Sequence, residues 1–378
     1  MEIVIGRNSL PLAYNGKLMS RNITQPFTLR FEFDNPDFDP TEFSDRWLAG
    51  SSWTKVSGTS KNRWDWHYSG TDWSDAFKKR FTIPMDPGNY RVVAGNTRGV
   101  TNMHGLFDTC PGLDSVSWFD TSTVTDMSNM FELTSIRTVP LYDTSNVTTM
   151  AEMFWYDTDL RELPRFNTSN VTNMSGMLLE CRSLREVPLF DTSSVTDMSG
   201  MFAGSGIVNM PQFDVHNVVN FHAWCYMCPS LSYVPPLDTS SATEVWEMFK
   251  GCESLIEGPA LNLSHTNSTG YMFEGCSSLV RVPLYDTSNT ESMHNMFKNC
   301  TNLKSIPLLD VSKVDWFKEM FMNCVNVESN ILAFYNKASS LQDINHESTF
   351  YNCGTNTTTG AAELAQIPDD WKEPPHDD

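Results

Sequence analysis

Phe190-Asp191-Thr192-Ser193-Ser194-Val195-Thr196-Asp197-Met198-Ser199-Gly200-Met201-Phe202 is the stretch that decides the fold. Variants of it recur from about Val100 to Cys353. The anchor residue falls at Asp120, Asp143, Asn167, Asp191, Asp214, Asp238, Asn262, Asp286 and Asp310, in steps of 23 or 24 residues. A fixed period of this length marks a solenoid, because one unit cannot bury its apolar side alone and does so only against its neighbours.

Positions within a unit are counted from the anchor as zero. Apolar residues sit at +4, +7, +10 and +11 (Val195, Met198, Met201 and Phe202), and +14 is Ser205 here and Cys252 in a later unit. The spacing of +7, +10, +11 and +14 is that of one face of a helix, so it predicts one or two helical turns per coil. Further apolar residues followed by proline (Leu184, Val187, Pro188; Leu279, Val282, Pro283) predict a short extended segment, with Pro ending its pairing. The Thr-Ser beside each anchor fits Asx- or ST-turns. Neighbouring coils of such a stack lie ~4.8 Å apart.

Outside the array the pattern changes. Residues 1–97 form a β-rich N-terminal cap or attachment domain, 98–353 the solenoid, and 354–378 a C-terminal cap with an acidic tail. Met1–Asn22 reads as an arm or small hairpin. Phe27–Phe33 alternates apolar and polar residues like a half-buried strand, and Tyr90–Ala94 reads as a strand leading into the first coil. Trp73–Phe81 has the spacing of a short amphipathic helix. Trp47, Trp53, Trp64, Trp66 and Trp73 fit a compact core over the open end of the array better than a carbohydrate platform, since Trp buries large area and every array needs a cap. Ile331–Lys337 predicts a longer helix, and Asp369–Asp378 a solvated end.

Composition narrows the function. The 378 residues carry a net charge of −20 and are 40% hydrophobic, so the chain is not a disordered one and repels phosphate backbones. Nucleic acid is thereby an unsuitable partner, and no apolar run approaches the length of a membrane span. Met1–Arg7 has no basic n-region or cleavage site of a signal peptide.

The recurring Phe-Asp-Thr-Ser-x-Val-Thr-x-Met-x-x-Met-Phe-x-x-Cys-x-x-Leu-x-x-Val-Pro resembles the BspA-like leucine-rich repeat family of bacterial surface proteins, also common in gut bacteria and their phages. The resemblance covers roughly residues 98–353. Asn326–Ser329 and Gly360–Pro368 resemble the closing cap of that family. It implies a leucine-rich-repeat-like solenoid, adhesion or surface display, no catalytic residues and no cofactor. Because this sequence shows no export or anchoring signal, the expectation is a phage virion protein. Its N-terminal region would contact other virion proteins and its solenoid a host-surface protein or glycan. The alternative is a bacterial cell-surface adhesin.

Few residues offer chemistry. Cys225-Tyr226-Met227-Cys228 has redox or zinc spacing, but Cys228 belongs to a column with Cys252, Cys276, Cys300 and Cys324, and Cys225 replaces the Phe at +11. The column brings cysteines within bridging distance; the expectation is nevertheless buried reduced thiols. The anchor carboxylates, interrupted by Asn167 and Asn262, read as turn caps rather than calcium ligands. No nucleophile, base and stabiliser converge, which argues against an enzyme.

Contact residues are sought at the outward +8 position. It runs Ser128, Ala151, Ser175, Ser199 and then His222, Trp246, Gly270, His294, Lys318. With neighbouring Tyr271 and Trp316 and the separate pair Trp155-Tyr156, this gives the binding set Trp155, Tyr156, Trp246, Tyr271, His294 and Trp316.

Overall fold

A computed structural model describes residue 97 and residues 99–375 in full; before them it describes only the backbone of six strands. Strands β1 (Ala13–Tyr14) and β2 (Lys17–Leu18) pair antiparallel, in keeping with the hairpin alternative for Met1–Asn22. Strands β3 (Phe27–Phe33), β4 (Trp53–Ser60), β5 (Arg63–Tyr68), β6 (Tyr90–Asn96) and β7 (Leu113–Val116) form one sheet in the order β4-β5-β3-β6-β7. Both strands read from the sequence, Phe27–Phe33 and Tyr90 onward, are present. The β6–β7 pairing is parallel, and β7 lies within the repeat array, so the sheet joins the first coil through main-chain bonds. The tryptophan-core and Trp73–Phe81 helix expectations fall outside the described residues.

The array stacks in register. Isolated parallel bridges at +6 link Asn102, Asp126, Thr149, Asn173, Asp197, Asn220 and Glu244 in one run, then Ser268, Ser292, Trp316 and Asn345 in another. The extended return carries only scattered bridges, such as Asn209–Tyr233 and Ser305–Ser329.

The helix expected from +7 to +14 does not form. Asn129, Phe131 and Leu133 donate their N–H groups to Ala151, Met153 and Trp155 of the next coil at 2.8–2.9 Å. The intervening Met130 and Glu132 close turns onto Met127 and Asn129. The segment is therefore a run of tandem turns whose alternate residues pair sideways. Left-handed φ recurs at +9 and +13: 56° at Asn129, 55° at Leu133, 59° at Gly200, 67° at Gly204, 59° at Tyr271 and 74° at Gly275. One left-handed residue in four is incompatible with an α-helix, and each costs a non-glycine residue ~1–2 kcal/mol. The lateral bonds offset that cost because buried main-chain groups must all be paired. Both geometries put +7, +10, +11 and +14 inward, so apolar spacing alone did not separate them.

The core is a set of ladders along the stack. Phe249, Phe273, Phe297 and Phe321 stack at 5.5–5.7 Å between ring centroids. Where Cys225 replaces Phe, the neighbouring Trp224 turns inward and meets Phe202 and Phe249 edge-on at 5.7 and 6.2 Å. The small Cys225 thus makes room for a large ring, which accounts for the C-x-x-C spacing. Buried threonines next to the anchors form a second ladder: Thr121, Thr144, Thr168 and Thr192 each donate to the anchor carbonyl of the next coil at 2.6–2.8 Å.

At the far end, α1 (Ile331–Ala338) forms where the longer helix is predicted, and α2 (Thr358–Leu364) follows. Thr357 caps α2 by accepting from the Gly360 N–H. The tail departs from the solvated end expected. Trp371 is buried, stacks on His346 at 4.3 Å and meets the Tyr335 ring edge-on at 5.3 Å. An indole exposed at the open end would leave the last coil's Phe350 uncovered; instead Phe350 N–H donates to the Trp371 carbonyl.

Candidate functional site

Turns at the anchors are built as the sequence implies. The side chains of Asp120, Asp143, Asn167, Asp191, Asp238, Asn262, Asp286 and Asp310 accept the N–H two residues on at 2.9–3.2 Å. Hydrogen bonds from Ser193, Ser240 and Ser288 hold the Asp191, Asp238 and Asp286 carboxyls below their usual range. A second, unforeseen column of such turns lies at +6, where Asp126, Asn173, Asp197 and Asn220 accept from +8 at 2.8–3.0 Å. Its signal was the Asp/Asn preference at +6, which was visible in the sequence. Among the described residues, no three His, Cys, Asp or Glu gather as a metal site.

All nine cysteines are buried and none is in a disulfide. The sulfurs of Cys252, Cys276, Cys300 and Cys324 donate to the carbonyls of Cys225, Phe249, Phe273 and Phe297 at 3.0–3.1 Å. Each thiol is thus aimed at a main-chain oxygen rather than at the next sulfur. Burial pushes the Cys276 thiol up to about 12 and those of Cys252 and Cys300 well upward, so at these three positions the reactive thiolate is scarce; against the same burial, hydrogen bonds from Cys225 and Ser205 hold the Cys228 thiol below its ordinary value. Alkylation under denaturing, non-reducing conditions is expected to label all nine by mass. Fewer than about seven labelled thiols would overturn the ladder, since it has no place for a bridge.

The outward aromatic residues fall into separate groups. Trp246 is 39% exposed and stacks on His222 with centroids 3.7 Å apart and planes 14° from parallel. Trp316 is 42% exposed and stacks on His294 at 4.3 Å with the same tilt. Tyr271 meets His294 edge-on at 4.6 Å, so Tyr271, His294 and Trp316 are one cluster. Ser292 Oγ lies 2.7 Å from His294 Nδ1, and partial burial holds the imidazole below its ordinary pKa, that is, neutral. Trp155 and Tyr156 meet each other edge-on at 6.3 Å on a single coil well before these and join neither group. Trp155 is half-buried and Tyr156 exposed.

Two members escaped the sequence reading. His222 stands in the +8 column but outside the expected binding set. Lys250 lies 4.4 Å from the Tyr271 ring centroid and bridges Glu247 and Glu274 at 3.0 Å each. Lys250, at +12 on its coil, and Tyr271, at +9 on the next, meet because adjacent tandem turns overlap, which the helical reading concealed.

Chemically the face offers ring surfaces, a neutral imidazole and fixed hydroxyls. It lacks an activated nucleophile.

Two solved structures resemble the chain. One is a leucine-rich repeat protein from Eubacterium ventriosum, 13% identical, with 65% of this chain and 87% of that chain covered and a TM-score of 0.33. The other is a leucine rich cell surface protein from Faecalibacterium prausnitzii, 16% identical, with 66% and 84% covered and a TM-score of 0.27. Superpositions this loose carry no weight, and the fold rests on the coil geometry above. Among curated proteins none matches this chain. One family model matches residues 71–186, 133–235, 157–259, 186–282 and 243–359, together most of the chain. These windows contain the motif, the stacked coils and the aromatic face. The chain belongs to that BspA-like repeat family, described as Mycoplasma protein of unknown function, DUF285.

Proposed function

We propose that this protein is a non-enzymatic adhesion module whose stacked coils hold an aromatic contact face toward a host-surface protein or glycan. The observation that carries this reading is the pair of His–Trp stacks, His222–Trp246 and His294–Trp316, standing half out of a polar surface. Aromatic rings held rigid lose little entropy on binding and supply large contact area. The N-terminal sheet serves as cap and attachment region, and the bacterial cell surface is the location we favour. The family description names a bacterium, and the motif is that of bacterial surface repeats. The virion location, with other virion proteins as partners, gains no support from the family match.

The test is binding of the full chain to cultured epithelial monolayers. Trp246→Ala with Trp316→Ala is expected to weaken it by about tenfold or more, as for central aromatic anchors. Unchanged binding by a double variant with an unaltered circular-dichroism spectrum would remove the aromatic face from adhesion.

A further inference from the structure

Two residues before each anchor, on the extended return, stands an outward column that is apolar along most of the array. It carries Trp118, Leu141, Leu189, Pro236, Leu284 and Leu308, with Arg165, Gln212 and Ala260 between them and no carboxylate. Every one of these side chains is exposed, Leu141 to 59% and Leu284 to 73%. Single exposed leucines are ordinary, but a column of them along one face is not. Exposed Tyr233 and Ile256 widen the stripe in its second half. From Pro140 to Pro307 the position before the column is always proline. Proline has no N–H, so the stripe can be covered without stranding a main-chain donor.

Three features fit a second copy of this chain as the cover. The first is period: the stripe repeats once per coil over eight steps of ~4.8 Å, about 38 Å, and another copy keeps that step along its whole length. The second is charge. Two chains of −20 repel each other, and a face without carboxylates in its central column is where they approach most easily. The third is area. The return from Arg161 to Arg165 is about 13 Å wide in extended form. The footprint is then roughly 500 Å² on each copy and about 1,000 Å² in all, the lower limit for a specific interface.

Overlap of the whole stripe requires antiparallel arrays related by a two-fold axis at the Gln212 coil. In that register Leu141 of each copy lies opposite Leu284 of the other, Trp118 opposite Leu308, and Arg165 opposite the small Ala260. Arg161 and Arg165 are exposed and make no ion pair among the described residues. They flank the place where Glu162 comes opposite Glu257 of the other copy, so the two carboxylates meet two unspent cations. Arg281, bridged to Glu257 at 2.5 Å, comes opposite Thr138. Asp114 comes opposite Lys304.

We infer that this stripe joins two copies of the chain, face to face and antiparallel, with Leu141 packed on Leu284. The aromatic face lies about half a coil round from the stripe, so it stays free on both copies. Sedimentation equilibrium of the full chain is expected to show a monomer–dimer equilibrium with a Kd on the order of micromolar. Leu141→Lys and Leu284→Asp, each alone, are expected to weaken the dimer by about tenfold or more. An equimolar mixture of the two variants is expected to restore it, because the introduced charges then meet as one pair. Leu133→Asp, at an exposed leucine outside the stripe, is expected to change nothing. Melting curves accompany each variant; Leu141→Ser or Leu284→Ser replaces a charged variant that does not fold, and dissociation then decides. The inference fails if the chain is monomeric at about 100 µM, if either stripe variant dimerises as the parent does, or if Leu133→Asp loses as much. Dissociation of both variants without restoration in the mixture overturns the antiparallel pairing and the inference with it. A monomer whose hold on epithelial monolayers falls with Leu284→Asp would give the stripe to a different protein. The adhesion reading, which rests on Trp246 and Trp316, survives each of these failures.

Discussion

Replacing Asp157 with cysteine is expected to stabilise the protein by about 5 kcal/mol above pH 8, and by little below pH 4. Asp157 stands at the +14 position, in the column that elsewhere carries buried thiols, and is 0% exposed. Its Oδ2 accepts a hydrogen bond from Thr134 at 3.1 Å, and its Oδ1 has no partner. Burial pushes its carboxyl up from 3.8 to about 8; the Thr134 hydrogen bond opposes this and the Asp159 charge adds to it. The folded chain thus holds this proton more tightly than the unfolded chain. Below pH 4 both states are protonated and the carboxyl contributes no ionisation penalty. Between pH 4 and 8 the unfolded state ionises while the folded state does not, so stability falls as pH rises, and above 8 the deficit is complete. Cysteine matches the rest of the column, and Thr134 keeps its second acceptor, the Phe131 carbonyl at 3.1 Å. Urea unfolding at several pH values reads the effect. Asp157→Asn, neutral throughout, is expected to flatten the same pH dependence. A parent protein equally stable at pH 5 and pH 9, with both variants parallel to it, would mean that Asp157 is ionised in the fold.

Phe273→Ala is the second large expectation, a loss of about 3–5 kcal/mol. Phe273 is fully buried and stacks on Phe249 at 5.5 Å, Phe297 at 5.7 Å and Tyr285 at 6.3 Å. Its removal weakens two coil–coil contacts at once. In an array held by nearest-neighbour contacts, a weak joint in the middle uncouples the halves. Unfolding of the variant is therefore expected to split into two steps, which denaturation followed by tryptophan fluorescence and far-UV circular dichroism together would show. A single coincident transition with less than about 1 kcal/mol lost would mean that the ladder relaxes around the gap.

The Asp157 carboxyl shows the limit of repeat arithmetic. The sequence placed it at +14, but its orphaned oxygen became visible only with Thr134 and Cys181 around it. Burial depends on the neighbouring coils, and no residue carries that information alone. The same holds for Trp371, whose acidic surroundings read as a solvated tail. The indole turned inward because the last coil's Phe350 otherwise faced water.

The sequence by itself determined the period, the inward columns, the anchor turns, a strand at Phe27–Phe33 and one from Tyr90, read as Tyr90–Ala94 and extending to Asn96, a helix from Ile331, read as Ile331–Lys337 and extending to Ala338, and the burial of the cysteines. All of these follow from spacing and residue type, which act locally and repeat. Tertiary structure decided that +7 to +14 makes tandem turns instead of a helix. The decision lies in main-chain N–H groups bonding to the next coil, a partner that a single repeat does not contain. Tertiary structure also decided which outward rings meet. Trp246 and His222 share the +8 column, whereas Trp316, His294 and Tyr271 stand at +6, +8 and +9; that these rings meet as two stacks follows only from the pitch and lean of adjacent coils. Trp155 and Tyr156, sought on the same compositional grounds, stand apart because their coil lies too far along the axis.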